Sequence, residues 1–451
     1  MNLVDAVYLP TIGTHFLWHR LFTGKYGPKV MEKTGRVPDR FRHSATSVLG
    51  SGNPHYEQPC LWVHAVSVGE VVASIDLVKM FMRDNPRWDV RISTTTATGR
   101  AVAEKNFGAE NVFYFPLDFS WMVKRAFANI RPSLVMLMEL EIWPNFLDFA
   151  VEKAIPVVVA NARITERSVR RLSWIPGLAK KMAMSVDLWF AQTELYAERL
   201  RKIGVPAGRI EVTGSVKYDA VPLEPDLSQG EHYRRLFGCG EKSFAKGGEL
   251  LFVTGSTHPS EEKTILSALR QALPEGAPKP KVVLTPRHPE RLDEVEAMAR
   301  EFGKVVRRSA ISEPGPGDER GNCDADIILV DTMGELSRIY SAADMVFIGG
   351  SLIRHGGQNF IEPCGLAKPT IAGPHLWNFA EPAELLGGKG LMRIVKDADE
   401  LTAALREMIA DPAAASAMGE QARQELLKQR GAARRMLNRL DGLAKIAAAR
   451  N

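Results

Sequence analysis

The sequence is poor in cysteine and has no long apolar run. Its 451 residues include four cysteines, so far apart that no CxxC pair or Cys/His ligand spacing occurs (Cys60, Cys239, Cys323 and Cys364). This excludes a disulfide-stapled domain and indicates a reducing compartment without structural zinc. No stretch reaches the roughly 18–20 apolar residues of a spanning helix, which excludes a multi-spanning membrane protein. The N-terminus also lacks a signal-peptide pattern.

The chain carries little net charge as well. The formal charge is +5 at pH 7, which does not indicate a nucleic-acid partner. Apolar residues make up 45% and charged residues 25%, values typical of a soluble globular protein. A length of 451 residues is too great for one compact domain and suits two.

Short apolar runs that end in Gly, Pro, Asn or Ser predict strands, with helical spacing between most of them. Strands that alternate with helices predict a mostly parallel sheet covered on both faces. The predicted strands are Leu61–Val63, Val90–Ser93, Val112–Phe115, Leu134–Met138, Pro156–Ala160, Leu188–Ala191, Ile210–Thr213, Leu250–Thr254, Lys281–Thr285, Ile327–Val330, Met345–Ile348 and Pro369–Ala372. The predicted helices include Val71–Arg83, Glu261–Leu273, Pro289–Phe302 and Gly334–Ala342.

This pattern predicts two α/β domains in tandem with a ligand cleft between them. Residues 46–220 form the first domain and residues 249–451 the second, which ends in helices over Ala398–Ala449. The segment 221–248 is rich in Pro, Gly and charge, and is the predicted linker. In parallel sheets, ligands bind at the carboxyl ends of the strands, so the residues that follow each strand are the site candidates.

Three of these strand ends carry a polar residue followed three positions later by glutamate. They are Ser67 with Glu70, Thr332 with Glu335, and Asn359 with Glu362. Each pair fits a helix capping box, which requires no function. Glu70 also suits a general base, because a helix N-terminus favours its ionised form. Spacing alone favours the cap, but several helix N-termini at one edge make an anion site.

Other strand ends carry glycine, basic residues and paired acids. Glycine pairs at positions 349–350 and 356–357 allow a close backbone approach to phosphate, although they match neither GxGxxG nor the P-loop. Arg287 and Lys217 follow strands and could bind phosphate or carboxylate. Glu139 and Glu141 follow another strand as a candidate carboxylate pair. Five scattered histidines are predicted to be hydrogen-bonded loop residues, not metal ligands (His64, His258, His288, His355 and His375).

Nine motifs in order carry a family resemblance. They are HAVSVGE, ELEIWPN, NARITERS, TGSVKYD, TGSTHPSEE, TPRHPER, DTMGEL, GGSLIRHGGQNFIEP and AGPHLWNF, between His64 and Phe379. Together they resemble the 3-deoxy-D-manno-octulosonic acid (Kdo) transferases of lipopolysaccharide biosynthesis. The resemblance implies a GT-B glycosyltransferase fold, with two Rossmann-like domains facing a cleft. It also implies inverting, metal-independent transfer of Kdo from CMP-Kdo to a lipid A precursor of the lipid IVA type, with no cofactor.

The resemblance also assigns roles to particular residues. Glu70 matches the general base, and Glu139 and Lys217 match positions that stabilise the transition state. The CMP-binding segments correspond to Pro286 and Arg287, to Met333, Gly334 and Glu335, and to Asn359, Phe360, Ile361 and Glu362. Two alternatives stay open, namely a nucleotide-sugar epimerase of similar architecture and a catalytically silent, membrane-associated binding protein.

The basic residues of the chain concentrate near its start. Residues 1–45 contain seven Lys or Arg and three acidic residues, next to an apolar stretch with Trp18 and Phe22. This pattern is typical of an interfacial anchor on an anionic leaflet, and an ordinary basic helix is the alternative. With the implied lipid acceptor, it predicts a peripheral or monotopic protein on the cytoplasmic face of the bacterial inner membrane.

Overall fold

A computed structural model describes Asp5 and residues 30–36, 58–222, 226–240, 242–313, 321 and 323–449. The chain divides into two compact domains. The first contains residues 1–219 and 430–451, and the second contains residues 220–429. Each is built on one seven-stranded sheet in which all neighbouring strands are parallel.

The first sheet has the strand order β3-β2-β1-β4-β5-β6-β7. Its strands are β1 (Cys60–His64), β2 (Asp89–Thr94), β3 (Val112–Tyr114), β4 (Leu134–Met138), β5 (Val157–Ala162), β6 (Leu188–Ala191) and β7 (Ile210–Val212). The helices before and between them are α1 (Val30–Lys33), α2 (Val68–Asp84), α3 (Ala97–Phe107), α4 (Ser120–Ile130), α5 (Pro144–Glu152), α6 (Glu166–Leu172), α7 (Pro176–Met184) and α8 (Glu194–Lys202).

The second sheet has the order β10-β11-β9-β8-β12-β13-β14. Its strands are β8 (Leu251–Thr257), β9 (Lys281–Pro286), β10 (Val305–Arg307), β11 (Ile327–Leu329), β12 (Met345–Ile348), β13 (Thr370–Ala372) and β14 (Arg393–Ile394). The remaining helices of the chain are α9 (Leu227–Leu236), α10 (Glu261–Ala272), α11 (Leu292–Ala299), α12 (Leu336–Ala342), α13 (Ile361–Gly365), α14 (Ala380–Gly388), α15 (Ala398–Ala410), α16 (Pro412–Lys428) and α17 (Ala432–Ala449).

These strands are apolar runs because helices cover both faces of each sheet. All five residues of β1 and of β4 are buried. One face of the first sheet packs an aromatic cluster, in which Trp62 lies 5.0 Å from Phe146 and 5.2 Å from Phe127 between ring centroids. The predicted α/β class with two Rossmann-like domains is therefore confirmed. The twelve predicted strands are all present, and β10 and β14 are additional.

The last helix belongs to the first domain, although residues 249–451 were all predicted to lie in the second. Helix α17 repeats apolar residues with helical spacing at Ala433, Met436, Leu437 and Leu440, and these pack on the face of the first sheet opposite the aromatic cluster. The Asp219 carboxylate accepts the backbone N–H of residues 431 and 433 at the start of this helix. Burial of this apolar stripe explains why the chain returns to the first domain after the second.

The predicted linker, residues 221–248, is also part of a domain. It contains α9, whose side chains Tyr233 and Leu236 are buried in the second domain. Within α9, Arg234 forms a buried ion pair with Asp344, which precedes β12, at 2.8 Å. The polar composition of this segment therefore includes charges that pair inside the domain.

Most of the predicted membrane-associating segment, residues 1–45, lies outside the described residues. Of its described part, Asp5 is buried and accepts hydrogen bonds from the N–H (2.9 Å) and hydroxyl (2.6 Å) of Ser120 at the start of α4. Glu32 pairs with Arg100 at 2.5 Å. Two of the three acidic residues in this segment thus contact the first domain. In the described part of the chain, no helix has the length and apolarity needed to cross a membrane.

Candidate active site

Each sheet reverses its strand order at one point, and ligands of open α/β sheets bind at such points. In the first sheet the reversal falls between β1 and β4, and in the second between β8 and β12. Glu70 lies after β1, while Glu139 and Glu141 lie after β4. The sheet topology therefore places the acidic candidates of the first domain at its expected binding edge.

Glu70 is held by a cap at the start of α2. The Ser67 hydroxyl accepts the Glu70 backbone N–H at 3.4 Å, as the capping prediction requires. The Glu70 carboxylate accepts the Val66 N–H at 2.9 Å and the Ser67 hydroxyl at 3.0 Å. The two functions are compatible, because these bonds fix the orientation of the carboxylate without neutralising it.

Glu139 and Lys217 lie close to each other, 78 positions apart in the sequence. Glu139 Oε1 is 4.0 Å from Lys217 Nζ, and both side chains are about a quarter exposed. Glu139 adopts a φ of 55°, the left-handed region that costs a non-glycine residue about 1 kcal/mol or more. Such strain is typical of functional positions, and here it turns the chain at the end of β4.

The electrostatics of this edge are those of crowded, half-buried carboxylates. Burial raises the pKa of Glu70 above its ordinary value, the bonds from Val66 and Ser67 lower it, and the charge of Glu139 raises it. Burial raises the pKa of Glu141 to about 7, with a further contribution from the charge of Glu70. A carboxylate whose pKa is raised holds a proton more strongly, which suits a general base.

In the second domain, two of the predicted nucleotide-binding segments line one cavity of about 150 Å³. Pro286, at the end of β9, and the following Arg287 line it, as do Met333 and Gly334 after β11. The Met333 side chain is 86% exposed, which leaves a flexible apolar surface beside a cation. Thr332, which the sequence analysis considered only as a helix cap, also lines the cavity, together with three polar residues that it missed, namely Ser256, Thr285 and Asp331. Their only sequence signal is their position at the ends of β8, β9 and β11.

The other predicted residues of this domain make mainly internal contacts. Glu335 ion-pairs with Arg308 at 3.2 Å, and it is the residue that precedes α12, so Thr332 is not the N-cap there. The Asn359 side chain accepts the N–H of Ile361 at 3.1 Å and donates to Glu362 at 2.8 Å. The side chains of Phe360 and Ile361 are buried, so a ligand would meet only their backbone.

Two solved structures share the fold of this chain. The HepE protein of Anabaena in complex with UDP superposes with a TM-score of 0.52 at 12% identity, over 85% of this chain and 100% of that one. UDP-GlcNAc 2-epimerase of Neisseria meningitidis bound to UDP-GlcNAc gives a TM-score of 0.51 at 13% identity, over 80% of this chain and 94% of that one. At these identities the likeness concerns the fold alone.

Sequence similarity defines the family. The family model described as 3-deoxy-D-manno-octulosonic-acid transferase (kdotransferase) matches residues 35–220. The 3-deoxy-D-manno-octulosonic acid transferase of Haemophilus influenzae is 33% identical over 384 residues, covering 84% of this chain and 86% of that protein. That of Bordetella pertussis is 35% identical over 392 residues, with the same two coverages. The chain belongs to the 3-deoxy-D-manno-octulosonic acid transferase family, which confirms the resemblance found in the sequence.

Proposed function

We propose that this protein transfers Kdo from CMP-Kdo to a lipid A precursor of the lipid IVA type in lipopolysaccharide biosynthesis, with inversion and without a metal ion. Family membership supports Kdo transfer. The observation that carries the mechanism is the cluster of Glu70, Glu139 and Lys217 at the reversal point of the first sheet. A general base, a second carboxylate and a cation at one edge are the groups that such a displacement requires.

In the proposed reaction, a hydroxyl oxygen of the acceptor attacks the anomeric carbon of Kdo on the face opposite the phosphate. The new carbon–oxygen bond forms as the bond from that carbon to the phosphate oxygen breaks, and CMP leaves with the electron pair. Glu70 takes the proton of the acceptor hydroxyl. Its cap orients the carboxylate toward this task, and its raised pKa strengthens it as a base.

Glu139 and Lys217 are proposed to stabilise the transition state. An ammonium group offsets the charge that develops on the departing phosphate. The oxygen of Glu139 lies 4.0 Å from this ammonium and restricts its position. Because the donor substrate carries one phosphate and one carboxylate, protein cations such as Lys217 and Arg287 supply the charge that a divalent ion supplies for diphosphates.

The cavity formed by Arg287 and Met333 is proposed as the CMP site. Arg287 offers a planar, permanently charged group for the phosphate, and the exposed Met333 offers a polarisable surface for a pyrimidine ring. Gly334 has a φ of 82°. Apart from its chain neighbours, no described residue has an atom within 4 Å of where a Cβ would lie at this position, so the backbone leaves room beside the cavity.

A direct assay tests the function together with its metal independence. The protein is incubated with CMP-Kdo and a tetra-acylated lipid A precursor, with and without EDTA, and products are weighed by mass spectrometry. We expect the acceptor to gain the mass of one or more Kdo residues at equal rates in both samples. Loss of activity in EDTA that Mg²⁺ restores would contradict metal independence. Consumption of CMP-Kdo without an acceptor would favour an epimerase-type reaction. This control is included because UDP-GlcNAc 2-epimerase shares the fold.

Replacing Arg287 by alanine is expected to weaken CMP binding by about 1–3 kcal/mol, the usual loss for a charge-assisted hydrogen bond. Isothermal titration with CMP measures this change. Arg300→Ala is the matched control, because Arg300 is an exposed arginine of the same domain whose side chain bonds only Glu296 among the contacts described. Equal CMP affinity in the two variants would show that Arg287 does not contact the nucleotide.

Membrane attachment is proposed to depend on the first residues of the chain, and deleting residues 1–22 is expected to release the protein from anionic vesicles. The deletion removes the apolar stretch with Trp18 and Phe22, whose burial in the interface favours binding, and one of the seven basic residues, each of which contributes about 1 kcal/mol near such a surface. Sedimentation with vesicles containing phosphatidylglycerol measures binding. Because the deletion also removes the Asp5 cap of α4, Asp5→Asn is the control and should still sediment. Co-sedimentation of the deletion variant would refute the anchor.

A further inference from the structure

Three of the five scattered histidines meet at the reversal point of the second sheet. His258 follows β8, His288 follows β9, and His355 lies in the loop after β12. The ring centroids of His258 and His355 are 4.0 Å apart, and those of His258 and His288 are 5.3 Å apart. We name these three residues the histidine cluster. Its position, between β8 and β12, is where ligands bind in open α/β sheets.

A buried carboxylate holds the backbone of this edge in place. Glu261 is 1% exposed and accepts the N–H groups of His258 (3.0 Å), Gly350 (2.6 Å) and Ser351 (3.0 Å). Gly350 has a φ of 65°, and a Cβ there would lie 3.2 Å from ring atoms of both His258 and His355. The absence of a side chain at Gly350 therefore allows both imidazoles to pack against the loop, and Glu261 holds the loop backbone through hydrogen bonds.

The surroundings of the cluster are cationic. His258 is 3% exposed, and burial lowers its pKa to about 4, with smaller contributions from the other two imidazoles, Arg287 and Arg291. Arg291 is paired with Glu262 at 2.8 Å.

Two carboxylates and one amide complete the charged and polar groups near the rings. Glu261 is committed to backbone N–H groups, and exposed Glu290 lies 3.5 Å from His288 Nδ1. The Gln358 amide nitrogen lies 3.2 Å from His258 Nε2. An imidazole that is buried beside arginine, as His258 is, disfavours its proton in the absence of an anion, and a bound anion stabilises its imidazolium form.

The cluster also adjoins the cavity assigned to CMP. Arg287 lines that cavity and neighbours His288, and Ser256 lines it two residues before His258. His258 and His288 follow β8 and β9, two strands that carry residues of the cavity, and His355 follows β12, which neighbours β8 at the usual spacing of about 4.8 Å. A ligand whose nucleoside fills the cavity would place its phosphate or its acidic sugar against the imidazoles.

We infer that the histidine cluster is an anion subsite for the donor substrate, and that the donor binds there together with a proton taken up by His258. This inference rests on the proposed function. The shared chemistry is an anionic oxygen group, which is either the phosphate of CMP or the carboxylate of the transferred sugar.

Titration calorimetry at pH 7 in two buffers of different ionisation enthalpy, PIPES and Tris, tests the inference on the full chain. Cytidine, CMP and CMP-Kdo are titrated into the unchanged protein, His355→Asn and the double variant His258→Asn/His355→Asn. His355 is exposed, so its single variant keeps the test valid if the buried substitution impairs folding. His232→Asn is the control, since His232 lies on α9 and pairs with Glu313 at 3.3 Å.

We expect proton uptake with the unchanged protein, and loss of most of it together with an affinity lower by about tenfold in the cluster variants. Cytidine affinity should stay the same throughout. If protons are taken up when CMP binds, the cluster binds the phosphate. If protons are taken up only when CMP-Kdo binds, the cluster binds the carboxylate of the sugar. If the cluster variants bind CMP and CMP-Kdo with normal affinity and take up the normal number of protons, the inference is wrong but the proposed function is not affected. Failure of the unchanged protein to bind CMP or CMP-Kdo would instead overturn the proposed function.

Discussion

Replacing Glu70 by glutamine is expected to reduce the rate of Kdo transfer by about 10²–10⁴-fold, the usual contribution of a general base. The amide keeps the volume of the side chain and an oxygen for the Val66 N–H, but it cannot take a proton from the acceptor. CMP affinity should stay unchanged, because the cavity assigned to CMP belongs to the other domain. Initial rates and calorimetry on the same preparation separate the two effects.

The pH dependence of transfer provides a second measurement on the same residue. A general base acts only when it is deprotonated, so the rate should rise with pH through the pKa of Glu70. Burial and the charge of Glu139 raise that pKa, which places the acidic limb above the range of an ordinary glutamate. The same limb should move to lower pH in Glu139→Gln, since that change removes a neighbouring negative charge.

A purely structural role for Glu70 predicts a different outcome. Thr193 caps α8 in the same domain by accepting the Tyr196 N–H at 3.3 Å, and Thr193→Ala is the matched cap variant. Loss of such a cap costs about 1 kcal/mol of stability and leaves turnover unchanged. If Glu70→Gln, like Thr193→Ala, loses about 1 kcal/mol of stability and keeps normal turnover, Glu70 is only part of a cap and another group takes the proton.

Replacing Arg234 by alanine is expected to lower the free energy of unfolding of the second domain by about 3–5 kcal/mol, because it leaves a buried charge unpaired. The side chains of Arg234 and Asp344 are 5% and 6% exposed. Arg234 also donates to the carbonyl groups of residues 240, 242 and 249, and Asp344 accepts two backbone N–H groups. This arrangement ties α9 to the start of β8 and β12.

Hydrogen exchange under increasing denaturant measures this loss, since it reports each domain separately. Peptides from β8 and β12 should exchange at lower denaturant in Arg234→Ala, while those from β1 and β4 should not change. Arg393→Ala is the control, because its ion pair with Glu407 at 2.8 Å is exposed and such pairs contribute about 0–1 kcal/mol. Equal effects of the two variants would show that the buried pair is not a main support of the domain.

The sequence predicted all seven strands of the first sheet and the five central strands of the second, and it missed the two edge strands of the second sheet. Strands covered on both faces must be apolar runs, and β1 and β4 were visible as such. Strands β10 and β14 lie at the two edges of the second sheet, and their residues are half-buried or exposed. A strand that is partly exposed need not be apolar along its length, so β10 and β14 lack the apolar run that predicted the buried strands. The buried α9 was missed because its polar residues suggest a linker, whereas Arg234 is paired inside the domain.

The site was predictable only in part. Strand ends identified Glu70, Glu139 and Arg287 as candidates, because parallel sheets bring such residues to one edge. The proximity of Glu139 to Lys217 and of His258 to His355 depends on strand order, which spacing along the chain does not report. The roles of these residues remain predictions for the experiments above.

The return of α17 to the first domain has a consequence for synthesis of the chain. The sheet of β1 to β7 emerges from the ribosome early, but α17, which packs on one face of the domain core together with α2 and α3, emerges only after residues 220–429. At about 5–20 residues per second, this delay is roughly 10–40 s. During that interval the apolar surface around Leu77 and Phe81 lacks the cover of α17. The nascent first domain therefore exposes this apolar surface until the second domain, which is a continuous insertion, has been synthesised.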